Sequence, residues 1–403
     1  MKLIPTLALV VVTSLPLNSN AEDWYRWRGP DADGISKEKE WSARWPAEGP
    51  KRLWKTKVGT GFSSVSVSKG RVYTMGNAAD MDGVFCFDAD TGKEVWKYSY
   101  RAKLDPKYYE GGPGSTPTVA GDHVFTFSKQ GLVHCLEATS GLVVWSNNLM
   151  EGLKLEMPMW GFSGSILVEG DLCILNAGSM GTALDRKTGA VVWSSGADVS
   201  GYATPVPFDS DGERAVALFI KDQVVALRVR NGKELWRYPW KTEYDVNAAD
   251  PIIDGRKVFV SSGYNRGGAL IDFGGDAPKF VWENKDMRNH FNPSLLIGGF
   301  LYGFDGDSVK PDVMLKCVEL KSGETKWTEK TGFGGLAAAD GKLIVLTAKG
   351  ELIVANATPD GFKPISRAQV LGGKCWTTPV LSNGKIYCRN AAGDLVCVDV
   401  HGE

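Results

Sequence analysis

Surplus charge is missing from this 403-residue chain, in which 46 Lys and Arg offset 47 Asp and Glu to leave a net charge of −1. That balance supplies no general attraction to nucleic acid or to an anionic membrane. Histidine is scarce, and His123, His134, His290 and His401 lie scattered without ligand spacing, so no metal site built on them is expected. No Cys-x-x-Cys-His run is present to attach a haem. The glycine-rich stretch at 111–115 has no helical pattern after it to bind phosphate. The stretch GFSGS at 161–165 departs from the nucleophile elbow at its last residue. Three Asp-x-Asp-Gly phrases, at 31–34, 80–83 and 209–212, lack the late glutamate of a calcium loop and read as tight turns.

Long apolar runs are also missing, apart from residues 3–17, which are too few to span a bilayer. With Lys2 before this run and Ser19-Asn20-Ala21 after it, residues 1–21 read as a signal peptide cleaved after Ala21. Export to the periplasm or the exterior is therefore expected. No cysteine lies near the cleavage point, so lipid attachment there is not.

Cysteine is present seven times, an odd number for a disulfide framework. Cys86, Cys135 and Cys317 each stand ten residues before a tryptophan, where two other copies of the same phrase have Ala183 and Ala226. A place that takes either Ala or Cys is a small apolar packing position facing an indole. Cys397 occupies it in the last unit. One disulfide, Cys388 to Cys397, is a candidate because the two flank the turn at 391–394 symmetrically.

What the chain has in abundance is a repeated phrase. DADTGKEVW ends at Trp96, EATSGLVVW at Trp145, DRKTGAVVW at Trp193, RVRNGKELW at Trp236 and ELKSGETKW at Trp327. A glycine stands four residues before each tryptophan, at Gly92, Gly141, Gly189, Gly232 and Gly323. A sixth copy ends at Trp282 after a longer turn, and Trp54 opens the series, with spacings of 42, 49, 48, 43, 46 and 45 residues. Apolar run, polar turn and apolar run make a β-hairpin. A period of about 40 to 50 residues predicts a propeller of four-stranded blades.

Seven units follow one another from 59 to 370, the seventh without its tryptophan. Residues 377–400 read as three strands with no fourth, and 52–58 as an outer strand with no inner ones. Joined, they complete an eighth blade and close the ring. The expected division is a signal peptide at 1–21, an N-terminal arm at 22–50 packed on the propeller, and an all-β, eight-bladed propeller at 51–403, present as a monomer.

The repeated phrase resembles the tryptophan-docking repeat of the pyrroloquinoline quinone (PQQ) propeller superfamily. Nearly all of the chain after 21 is similar to the shorter exported PQQ-like repeat proteins of the BamB family. That resemblance implies a binding scaffold with a role in envelope protein assembly. Enzymes of the superfamily hold PQQ and calcium over the ring centre, and many carry adjacent cysteines. No two cysteines here are adjacent, so no catalytic residue, no cofactor and no metal are expected. PQQ with calcium, in a dehydrogenase, is the alternative, and a carbohydrate-binding or carbohydrate-processing propeller is a further one.

For a scaffold, the contact surface is expected on the loops joining one blade to the next, which converge on one face. They fall at 101–114, 150–161, 241–247, 285–292 and 372–376. They carry Arg101, Tyr108, Tyr109, Trp160, Trp240, Tyr244, Asp245, Arg288, His290, Lys374 and Trp376. Aromatic groups beside charges suit an interface with a protein or peptide of the cell envelope.

Overall fold

The computed structural model describes residues 22–402; the expected signal peptide lies outside the described residues. Among them are eight sheets, each an antiparallel run of four strands, with one sheet extended by a fifth. Blade 1 is built from Ser66–Ser68, Arg71–Ala78, Met81–Asp88 and Glu94–Arg101. The first strands of successive blades touch one another, as Ser66–Ser68 touches Thr118–Ala120, so they line the axis. The fourth strands form the outer wall. The ring closes as the period requires: Arg52–Lys57 pairs with Asp394–Asp399, with Arg52 opposite Val398 and Trp54 opposite Cys397.

Each repeat tryptophan stands on a fourth strand opposite a third-strand residue. Four face a cysteine, at Cys86, Cys135, Cys317 and Cys397, two face Ala183 and Ala226, and Trp282 faces Leu270. The indole then reaches into the next blade. The Trp145 ring lies under the turn of blade 3, where a β-carbon on Gly189 would sit 2.5 Å from it. Its N–H donates to the Arg186 carbonyl at 3.0 Å. Gly189 has φ +72°, which glycine adopts without strain, so the phrase conserves both the ring and the gap that receives it within this one chain. Equivalent N–H bonds join Trp54 to Ala89, Trp96 to Ala138, Trp193 to Val229, Trp282 to Leu320 and Trp327 to Thr358.

Trp236 departs from this. It meets the longer turn of blade 5, its N–H has no partner, and it stacks on Phe273 at 4.7 Å and 18° instead. A matched pair of substitutions follows from the difference. Trp145→Phe should lower stability by about 1 kcal/mol more than Trp236→Phe, because only the first loses a hydrogen bond. Urea midpoints of the two variants measure this, and equal losses would show that the bond contributes nothing.

Blade 7 has Ser366 in the tryptophan position, opposite Val354. Its hydroxyl accepts the backbone N–H of Trp45 at 3.2 Å. The Trp45 side chain packs with Trp41 on the core shared by blades 7 and 8. The seam between chain ends is thus filled by indoles from the arm.

The rest of the arm differs from a surface packing. Trp24 pairs antiparallel with Val67 of blade 1, and Tyr25 accepts the N–H of Val119 in blade 2. Arg28 donates to the Ser294 carbonyl of blade 6 at 3.0 Å. Ile35–Ser36 then adds in parallel to the first strand of blade 7, at Ala338 and Ala339. These partners stand on opposite sides of the axis. Residues 22–38 therefore enter the central channel, turn at 28–34, and leave beside blade 8, where Glu38 accepts the Gly384 N–H at 2.9 Å. Asp31-Ala32-Asp33-Gly34 forms that turn, closed by N–H bonds from Ala32 to Gly29 and from Gly34 to Arg28.

The Cys388–Cys397 disulfide is corrected. Cys388 pairs with Val396 and Cys397 with Tyr387, one residue out of register with the expected symmetry. Alternate residues of a strand point to opposite faces, so the two thiols enter different cores. All seven cysteines are free and buried.

Candidate functional site

Strands of a blade alternate in direction, so the loops between blades open on the same face as the turns between second and third strands. On that face they enclose a funnel of about 650 Å³. Its wall is a closed collar of aromatic rings, each in contact with the next. Tyr109 meets Phe62 at 5.6 Å, Phe62 meets Trp376 at 5.7 Å, and Trp376 meets Phe291 at 5.5 Å. His290 follows at 5.0 Å, Tyr264 at 5.1 Å, Tyr244 at 5.4 Å and Trp160 at 6.4 Å. The Tyr109 hydroxyl closes the circle by donating to the Trp160 carbonyl at 3.4 Å. Most of these contacts are tilted or edge-on, the arrangement that ring quadrupoles favour.

The floor comes from the arm. Trp27 donates its indole N–H to one oxygen of Asp250 at 2.6 Å, and the Thr204 amide donates to the other at 2.8 Å. Because residues 22–38 fill the channel behind Trp27, the funnel ends blind.

The collar is neutral. His290 Nδ1 accepts the Ser308 amide at 3.0 Å, and burial lowers its pKa to about 4, so the ring is uncharged at neutral pH. Burial likewise pushes the Tyr202 and Tyr264 phenols up to about 12. The lysines of the wall and rim are matched by acids: Lys374 with Glu110 at 2.7 Å, and buried Lys129 and half-buried Lys107 with Asp105 at 3.1 and 3.5 Å. Asp250 is different, because its two close donors are neutral. Burial raises its pKa from 3.8 to about 6, with the Arg28 charge behind it only partly opposing. Holding the charged form there costs roughly 3 kcal/mol, so the fold does not gain stability from this carboxylate.

The sequence candidates divide. Tyr108, Tyr109, Trp160, Tyr244, His290 and Trp376 line the funnel, as does Lys107. Tyr108 stands at the rim, 95% exposed. Lys374 lies over Trp376 at 4.3 Å, and Asp245 sits beside Tyr244 in the short turn Glu243–Asp245 without lining the funnel. Three are elsewhere. Trp240 is fully buried, bonded to Ser262 at 3.0 Å with the Arg266 guanidinium 3.6 Å from its ring centre. Arg288 forms an ion pair with Asp305 at 2.7 Å, and Arg101 is an exposed end of a fourth strand.

Sequence reading missed Phe62, Phe162, Tyr202 and Phe291, though a signal exists for them. Phrases GFSS, GFSGS, GYATP, HFNPS and CWTTP place an aromatic residue four or five positions before a first strand. Tyr264 and Val309 come from turns between second and third strands, and Trp27 from the threaded arm.

The profile of the family described as "Outer membrane protein assembly factor BamB" matches residues 83–329, more than half of the chain. The chain belongs to the BamB family. The outer membrane protein assembly factor BamB of Yersinia pestis is 24% identical over 375 residues, covering 86% of this chain and 88% of that one. Among solved structures, BamB from Moraxella catarrhalis superposes with a TM-score of 0.63 at 15% identity, covering 87% of this chain and 99% of that one. The quinohemoprotein alcohol dehydrogenase of Comamonas testosteroni gives 0.69 at 14% identity, covering 96% and 82%. At such identities the solved structures share the fold alone.

The alternative occupant expected from the sequence is PQQ with calcium. PQQ is a planar tricarboxylate, and calcium takes six to eight oxygen ligands. No arginine lines the funnel, and Lys129 and Lys107 already meet Asp105. No group of three acidic, His or Cys side chains suited to a metal occurs among the described residues. The donor set of this BamB-family chain does not fit the cofactor and its ion. No helix among the described residues is long and apolar enough to cross a membrane.

Proposed function

We propose that this BamB-family chain is a non-enzymatic scaffold of envelope protein assembly that holds a segment of a partner polypeptide in the aromatic funnel. The observation that carries this reading is the closed collar, a neutral and largely apolar wall around a blind opening. Such a wall offers flat contact area for side chains of an extended or incompletely folded chain, at little cost in side-chain entropy. The curated relatives support the setting, since they are named as outer membrane protein assembly factors. In this reading the protein acts outside the cytoplasm once residues 1–21 are removed. The arm at 22–50 and the propeller at 51–403 then work as one unit, and the protein is a monomer.

Capture from an envelope extract tests it. The native chain should retain partner proteins that the Tyr108→Ala, Trp160→Ala, Tyr244→Ala triple variant loses, by tenfold or more. The same partner list from both proteins would remove the funnel from the function.

A further inference from the structure

We propose that the floor of the funnel selects a lysine side chain of the bound polypeptide, its ammonium meeting Asp250 and its stem lying along the collar. The inference rests on the scaffold reading above and adds the chemistry of what enters.

Asp250 carries it. This carboxylate lines the funnel, is 7% exposed, and has only the neutral N–H groups of Trp27 and Thr204 as close donors. Among the ion pairs of the described residues, the lysines near the mouth are all taken by Asp105 and Glu110. A cation delivered by a ligand would therefore meet a negative charge that only the Arg28 guanidinium, behind it on the arm, offsets in part, in a water-poor place where the attraction is strongest.

The wall agrees with the floor. Indole and phenol faces attract cations, and Lys129 and Lys374 show this preference at the rim, 5.2 and 4.3 Å from the Tyr109 and Trp376 ring centres. Aromatic walls also bury the four methylenes of a lysine while its head stays polar. Arginine fits less well. Its two-pronged fork needs both carboxylate oxygens free along one edge, and here each oxygen already accepts a protein N–H. An ammonium is a point charge and can approach the remaining lone pairs.

Titration calorimetry with blocked nine-residue peptides, alike except for a central lysine or norleucine, tests the proposal, with cadaverine as a free amine. The native chain should bind the lysine peptide at least tenfold more tightly than the norleucine one. Asp250→Asn should abolish that preference, and Trp27→Phe, which keeps the carboxylate, should retain it. Circular dichroism establishes that each variant is folded, and the lysine–norleucine ratio in the native chain stands independently of both. Equal binding of the two peptides by the native chain would overturn the lysine selection while leaving the scaffold reading intact. A preference that survives Asp250→Asn would overturn the role of the floor. Cadaverine binding as tightly as the lysine peptide would overturn the polypeptide as its source. Failure of both peptides to bind, with no partner lost by the triple variant in the extract, would sink the scaffold reading itself.

Discussion

Replacing Arg389 with methionine should lower stability by about 4 kcal/mol. Arg389 ends the second strand of blade 8, the blade made from both ends of the chain. Its guanidinium is 1% exposed and reaches into blade 1. It donates to the carbonyls of Ser63 at 2.8 Å, Met75 at 2.5 Å and Gly59 at 3.1 Å, and to the Thr74 hydroxyl at 3.0 Å. No carboxylate opposes it, and burial alone lowers its pKa to about 9, so it is cationic at neutral pH. The backbone oxygens of blade 1 stand in for the missing anion. Methionine fills the space but takes the donor from the buried carbonyls of Ser63 and Met75 and from the half-buried one of Gly59, each buried one costing roughly 1–3 kcal/mol. Arg389→Lys should recover part of the loss, because an ammonium can reach some of these acceptors. Urea unfolding of the three proteins decides it. A loss below about 1 kcal/mol for Arg389→Met would show that water takes over these bonds and that the contact does not hold the seam.

The second large effect concerns the arm. A chain lacking residues 22–38 should lose at least the roughly 3–5 kcal/mol expected for removing one buried tryptophan, since Trp24 is 3% exposed and Arg28 7%. The loss has more than one source. Arg28 bonds the carbonyls of Ala32, Asp33 and Ser294. Glu38 caps the turn of blade 8 through Asn383 and Gly384, and Asp23 accepts from Ser68 at 2.9 Å and Lys69 at 3.1 Å in blade 1. Without these links, water enters the channel and the first strands lose one set of partners. The missing piece is a hairpin-like insert, so a synthetic peptide of residues 22–38 added in trans should raise the thermal midpoint again in proportion to its concentration. An unchanged midpoint on deletion would mean that the ring holds itself without the plug. A lowered midpoint that the peptide does not restore would mean that the arm must be present while the ring closes.

Both effects lie where the repeat is interrupted. Inside the ring, the indoles of Trp54, Trp96, Trp145, Trp193 and Trp282 each sit over a glycine turn of the next blade. At the seam the chain ends replace a turn, Ser366 replaces a tryptophan, and the structure supplies Trp41, Trp45 and Arg389 instead. A blind funnel follows from the same economy of parts, because the plug that braces the first strands also presents Trp27 to Asp250.

The sequence alone determined the number of blades, the strand that closes the ring and the outer-strand place of each repeat tryptophan. These depend on period and turn chemistry: the repeated phrase carries a glycine with positive φ that receives the indole of the preceding blade, and an indole four residues later that faces the following one. It also located the face on which Tyr109, Trp160, Tyr244 and Trp376 meet, since strand alternation sends every inter-blade loop to one side. Only the tertiary structure decided which side chains turn inward. Trp240 and Tyr244 lie on one loop, yet one is in the core and the other in the collar. Cys388 and Cys397 miss each other by a single residue of register. The course of residues 22–38 through the channel, and with it the floor at Trp27 and Asp250, follows from contacts between residues more than two hundred positions apart. No local pattern encodes such pairings, because their partners stand in different blades and come together only in the closed ring.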